Sequence, residues 1–146
     1  MADIERMDKF DFLIGEWNLE YRVPASSISP AATGEGSGKF YKALSNTYVY
    51  FDYAARLTLG SAAAHAVFAW DDRIKMYRYW WFEDSGAFMS ATCDFPEEKL
   101  LVLNWHDSLL NQSFSQLPEG HIRLLMEKVA GPGKQELLLE VFLRRK

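Results

Sequence analysis

The sequence predicts an all-β protein: an antiparallel up-and-down β-barrel of about eight to ten strands with a short N-terminal helix. The chain of 146 residues is 15% aromatic, and large flat side chains favour pleated, half-buried surfaces. From residue 16 onward, segments of strand composition follow one another with short turns between them. No connection is long enough for the crossover that parallel strands need, so the strands form a meander.

The chain opens with a helix, a strand and a loop. A lead-in helix is predicted over residues 3–14, where apolar side chains recur every three or four residues, and Gly15 ends the pattern. Residues 16–23 then alternate strictly between apolar and polar side chains, which is typical of a half-buried antiparallel strand. The next stretch, residues 24–33, is rich in Pro, Ser and Ala and predicts a mobile loop.

The remaining strands complete one domain over residues 1–146. Glycine recurs at positions 34, 36 and 38, which leaves one face of the second strand without side chains, so that another element can approach closely or the strand can bend. Residues 75–82 are the most aromatic strand. In the last strand one face is apolar (Leu137, Leu139, Val141, Leu143) and the other carries the charges (Glu136, Glu140, Arg144). Pairing this strand with the first would close the barrel and remove the exposed edges.

One motif carries a resemblance to a known superfamily. The segment Phe12-Leu13-Ile14-Gly15-Glu16-Trp17 resembles the calycin signature, in which a short helical lead enters Gly-x-Trp at the first strand. The chain most resembles small cytosolic lipocalin-like bacterial domains of unassigned function, which share this motif, a Trp-Asp turn (here Trp70-Asp71) and the aromatics after it. The superfamily also contains, more distantly, the nitrobindin-like barrels. The chief alternative fold, an α+β cone of the kind found in small cyclases and dehydratases, is disfavoured. It needs substantial N-terminal helices, and the sequence predicts only one short helix.

The resemblance implies how one end of the barrel is closed. Gly15 and Trp17 would form the closed end, with the tryptophan as its plug and an arginine of the final strand packed across the indole. Arg145 shares the inward phase of the last strand and is predicted to be that arginine, with Arg144 as the alternative if a bulge shifts the phase. A guanidinium stacks well on an indole and can donate to the free carbonyls of the lead-in turn.

Composition limits which partners the protein is expected to bind and in which cell compartment it is expected to reside. A net charge of −4 disfavours nucleic acid, whose binding requires a basic face. A single cysteine, Cys93, excludes a disulfide within the chain. The N-terminus has no basic segment followed by an apolar run, and the apolar runs are too short to span a bilayer. These features predict a cytoplasmic protein with no membrane span.

The leading functional hypothesis is binding of a small apolar or amphipathic molecule inside the barrel. Strand phase gives seven candidate ligand-binding residues: Tyr21, Phe40, Tyr50, Phe68, Arg78, Trp80 and Met126. The orientation of Arg78 is open. If Trp80 faces inward, Arg78 is buried and needs an anionic or carbonyl partner; if Tyr79 faces inward, Arg78 lies on the surface.

Two other functions stay open: an enzyme acting on a hydrophobic molecule in the same cavity, and a filled-core structural barrel that pairs as a homodimer. No catalytic residue is predicted, because adjacent residues of Trp105-His106-Asp107-Ser108 point to opposite faces of a strand and cannot form a triad. No metal site is predicted either, because a single cysteine cannot form a thiol metal cage. Nitrobindin-like relatives bind haem through a histidine, so the candidate haem ligands here are His65, His106 and His121. None lies in a matching motif, so no cofactor is predicted.

Overall fold

The described residues, 4–105 and 110–146 of a computed structural model, form a closed antiparallel barrel. Each strand pairs with its neighbours in sequence, and the last strand pairs with the first. The strands are β1 (Gly15–Val23), β2 (Ala32–Ala43), β3 (Tyr48–Leu57), β4 (Gly60–Asp71), β5 (Met76–Glu83), β6 (Phe88–Glu97), β7 (Leu100–Asn104), β8 (Leu110–Gln116), β9 (Ile122–Gly131) and β10 (Lys134–Arg145). The predicted all-β, up-and-down barrel is confirmed.

The helical lead-in is shorter than predicted. It consists of α1 (Ile4–Met7) and a 3₁₀ turn (Asp8–Phe10), and a second 3₁₀ turn, Pro118–Gly120, lies between β8 and β9. Beyond Phe10 the turns are closed by hydrogen bonds between residues three apart, as from the Leu13 N–H to the Phe10 carbonyl at 2.9 Å. The Leu13 carbonyl accepts a hydrogen bond from Trp17 Nε1 at 2.8 Å. Residues 24–31 have no regular structure, and β2 begins at Ala32. Among the described residues, no helix is long and apolar enough to cross a bilayer.

The lead-in seals one end of the barrel, the closed end. Trp17 is fully buried there, and the Arg145 guanidinium carbon lies 4.2 Å from the centre of its indole. Arg145 also donates to the carbonyls of Ile14 at 3.0 Å and Phe12 at 3.4 Å. The predicted stacking of Arg145 on Trp17 is confirmed, and Arg144 instead pairs with Glu20 at 3.2 Å. The opposite, open end carries the β1–β2, β3–β4, β5–β6 and β9–β10 connections.

The alternating glycines of β2 allow β3 to approach closely. A Cβ atom at Gly36 would lie 2.2 Å from the Ala54 carbonyl oxygen and 2.8 Å from the Ala55 Cα, closer than real Cβ contacts occur. Both neighbours belong to the backbone of β3, with which β2 is paired. The predicted close approach at these glycines is confirmed.

Candidate ligand-binding site

The interior of the barrel is filled in its closed half and hollow in its open half. Phe10, Phe40 and Phe68 are fully buried in the closed half, where the rings of Phe10 and Phe68 lie 5.0 Å apart. The open half encloses a cavity of about 330 Å³. Most of its wall is apolar, including Leu19, Phe51, Leu124, Met126, Leu139 and Val141. A filled core therefore describes only the closed half.

The space for the cavity comes from small residues on β4. Ala62, Ala64 and Ala66 face the interior, and they pair in register with Ala55, Tyr53 and Phe51 of β3. On the other side of β4, Ala66 pairs with Trp81. Small side chains beside large rings leave room that larger residues would fill.

The structure places the seven predicted ligand-binding residues in three groups. Tyr21 and Met126 line the cavity, and their contact with a ligand stays a prediction. Phe40 and Phe68 face inward but are fully buried in the packed closed half. Tyr50 and Trp80 lie on the outer face, so their prediction as lumen residues is wrong, and Arg78 adopts the surface position that was one of its two predicted alternatives.

Charge explains the true phase of β3 and β5. The acidic residue of β3 is Asp52, and the basic residue of β5 is Arg78. Burying either charge would be costly. Both therefore face outward, and Tyr50 and Trp80, two positions away, face outward with them. Arg78 Nε donates to Asp71 Oδ2 at 2.7 Å, so its partner is a surface carboxylate.

The sequence prediction missed most of the polar groups of the cavity. Besides Tyr21 and Glu83, five residues of the lining carry hydrogen-bonding groups: Tyr53, Tyr79, Trp81, Trp105 and Gln112. Trp81 Nε1 donates to the Tyr53 hydroxyl at 2.8 Å, and Trp105 Nε1 donates to Gln112 Oε1 at 3.1 Å. The outward phase of Arg78 was the signal that could have placed Tyr79 and Trp81 inside.

Burial keeps the phenols of the cavity neutral. It raises the pKa of Tyr21, Tyr53 and Tyr79 above the ordinary value of 10.0. The charge that Tyr53 would carry raises the pKa of Tyr21 and Tyr79 further. At neutral pH each is a protonated hydroxyl that can donate a hydrogen bond.

Alkaline pH is expected to unfold the barrel through these tyrosines. Their folded pKa values are raised, so the stability they contribute is fully present below pH 10.0, the ordinary pKa, and falls as the pH rises beyond it. Tyrosinate absorbance and circular dichroism, recorded on the same samples, check this. We expect the last tyrosines to ionise together with the loss of β structure. Ionisation of all seven tyrosines near the ordinary pKa, with the fold intact, would contradict it.

His65 and His121 are not among the described residues that line the cavity. His65 Nδ1 binds Asp52 on the outer face, and the other oxygen of Asp52 accepts a hydrogen bond from Tyr41 at 2.6 Å. His106, with the rest of the His106-Asp107-Ser108 segment, lies outside the described residues. Over residues 4–105 and 110–146, no cluster of three or more His, Cys, Asp or Glu side chains could hold a metal ion.

Comparison with known proteins bears on the fold. Neither a protein-family model nor a curated protein matches this chain. Among solved structures, a de novo designed fluorescence-activating β-barrel is similar, with a TM-score of 0.52 and 10% sequence identity over 95% of this chain and 98% of that one. The two share a fold. At this identity the likeness shows the barrel architecture alone, and membership of the calycin superfamily stays a prediction.

Proposed function

We propose that this protein binds a small, largely apolar molecule in the open half of its barrel. The cavity of about 330 Å³ is the observation that carries the proposal. Ligand sites usually measure roughly 300–1,000 Å³, and are mostly apolar with a few polar groups. The cavity of this barrel has a volume in that range and a mostly apolar lining with a few polar groups. The closed end formed by Gly15, Trp17 and Arg145 further supports a barrel of the lipocalin-like kind.

The volume limits the ligand to a compact molecule. A cavity of roughly 150 Å³ holds one benzene ring. The space inside this barrel is about twice as large, so it suits a molecule of about two to three fused or linked rings. Burial of apolar area at roughly 25 cal/mol per Å² supplies the affinity, less the cost of association.

An enzyme in the same cavity has less support. The polar groups of the described lining are three phenols, one amide, two indoles and the Glu83 carboxylate. Nucleophilic catalysis usually requires a hydroxyl or thiol activated by an adjacent base. The described lining contains no serine, cysteine or histidine, so simple binding fits these residues better.

The neutral dye N-phenyl-1-naphthylamine tests the proposal, because its fluorescence rises in apolar surroundings. We expect one dye per chain and a dissociation constant on the order of micromolar. Ala62→Phe places a ring inside the cavity and is expected to weaken binding by about tenfold or more. Ala63→Phe adds the same ring at the next position, on the outer face, and is expected to leave binding unchanged. Equal loss in both variants, or no binding by the wild type, would contradict cavity binding.

A further inference from the structure

Two tryptophans determine which polar atoms of the cavity are free. An indole N–H can only donate a hydrogen bond, so the contacts of Trp81 and Trp105 occupy acceptor positions on Tyr53 and Gln112. The contact at 3.1 Å also orients the amide, since Gln112 Oε1 must face the indole. Each pair therefore leaves a donor free: the Tyr53 hydroxyl proton and the Gln112 amide protons.

Tyr21 and Tyr79 add two further hydroxyls to this set. Their side chains are only 9% and 4% exposed, and neither hydroxyl has a hydrogen-bond partner within residues 4–105 and 110–146. In that part of the chain, every fully buried polar side-chain atom has a partner, so the two hydroxyls open into the cavity that these residues line. The cavity thus presents free donors on Tyr21, Tyr53, Tyr79 and Gln112.

Glu83 is the only charged side chain in the described lining. It ends β5 at the open end, and its charge acts on Tyr53. Ser85 donates to its Oε1 at 2.7 Å, and no Lys, Arg or His of the described lining offsets the negative charge. An anionic ligand would be repelled there and would lose its hydration without gaining a counter-charge.

We infer that the cavity selects a neutral molecule of about two to three rings whose carbonyl oxygen accepts hydrogen bonds from two of the hydroxyls of Tyr21, Tyr53 and Tyr79, and that Glu83 excludes carboxylates. This inference rests on the proposed function and names the chemical class of its ligand. A carbonyl oxygen has two lone pairs and no proton, so it complements a cluster of donors. An apolar molecule without such an oxygen leaves those donors unpaired.

Two bicyclic probes that differ by one carbonyl test the hydrogen bonds: 1-tetralone and tetralin. Titrations followed by tryptophan fluorescence are expected to show the ketone binding about five- to tenfold more tightly. The double variant Tyr21→Phe/Tyr79→Phe keeps both rings and is expected to remove most of that preference, because the ketone loses its donors and tetralin no longer leaves them unpaired. Tyr50→Phe, which removes a hydroxyl from the outer face, is the matched control and is expected to keep the preference.

The anion 1-naphthoate tests the role of Glu83. Wild type is expected to bind it about tenfold more weakly than 1-tetralone, and Glu83→Gln should recover most of that difference. Asp84→Asn removes an equal charge from the same β5–β6 turn but outside the cavity lining, so it controls for general repulsion and should have little effect.

The outcomes separate this inference from the function on which it rests. Equal binding of tetralone and tetralin, or naphthoate binding that Glu83→Gln leaves unchanged, would overturn the inference while the cavity remained a ligand site. If all three probes and the naphthylamine dye failed to bind, the proposed function itself would be contradicted.

Discussion

Replacing Trp17 with Ala is expected to lower the free energy of unfolding by about 3–5 kcal/mol. The indole is fully buried at the closed end, so its removal leaves a void between the lead-in and the first strand. The substitution also removes the donor to the Leu13 carbonyl and the surface on which Arg145 stacks. Loss of the plug would therefore loosen both the lead-in and the end of β10.

Urea denaturation, with Trp80→Ala as the matched control, measures this effect. Trp80 lies on the outer face and keeps part of its surface in solvent, so its replacement is expected to cost about 1 kcal/mol. If Trp17→Ala were no more destabilising than Trp80→Ala, the indole at position 17 would not hold the barrel closed.

Gly36→Ala is expected to destabilise the barrel by about 1–3 kcal/mol. Two effects of opposite sign on the free energy of unfolding compete in this substitution. Exchanging Gly for Ala at an unstrained position stabilises a protein by roughly 0.4–1 kcal/mol, because it restricts the unfolded chain. Here the new methyl group would meet the Ala54 carbonyl oxygen at 2.2 Å. That atom belongs to the paired β3 backbone and cannot move without disturbing the ladder, so the steric cost wins.

Ser37→Ala is the control for that substitution, because its side chain points to the opposite, exposed face of β2. Chemical denaturation of both variants decides the point. We expect a lower unfolding midpoint for Gly36→Ala and a change within about 0.5 kcal/mol for Ser37→Ala. A stabilised Gly36→Ala variant would contradict the close approach of β2 and β3.

The fold was predictable because its signals are local. The strict alternation of residues 16–23 defines the first strand, and the phase of the last strand places Arg145 over Trp17. Helical periodicity continues through Ile14, but beyond Phe10 the turns are closed by hydrogen bonds between residues three apart. The carbonyls of Leu13 and Ile14 accept hydrogen bonds from Trp17 on β1 and Arg145 on β10, and helical periodicity carries no information about these contacts.

The ligand site was less predictable because β3 and β5 are aromatic on both faces. Tyr50 and Trp80 are as suited to an interior as Phe51 and Trp81, so composition alone does not set the phase. The charges of Asp52 and Arg78 favour the outward face at those positions, whereas Glu83, at the end of β5, faces the cavity. Donors such as Gln112 depend on cross-strand pairs, and those become visible only once the register is known.

The methionine methyl groups offer the most direct test of ligand binding in the open half. Of the five methionines, Met89 and Met126 line the cavity, Met7 is buried at the closed end and Met76 begins β5 on the outer face. With ¹³C-methyl methionine and N-phenyl-1-naphthylamine, we predict that NMR will show large ring-current shifts for Met126 and Met89 and none for Met7 or Met76. Saturation with the dye that leaves Met126 unshifted, or that shifts Met76 instead, would contradict binding inside the barrel.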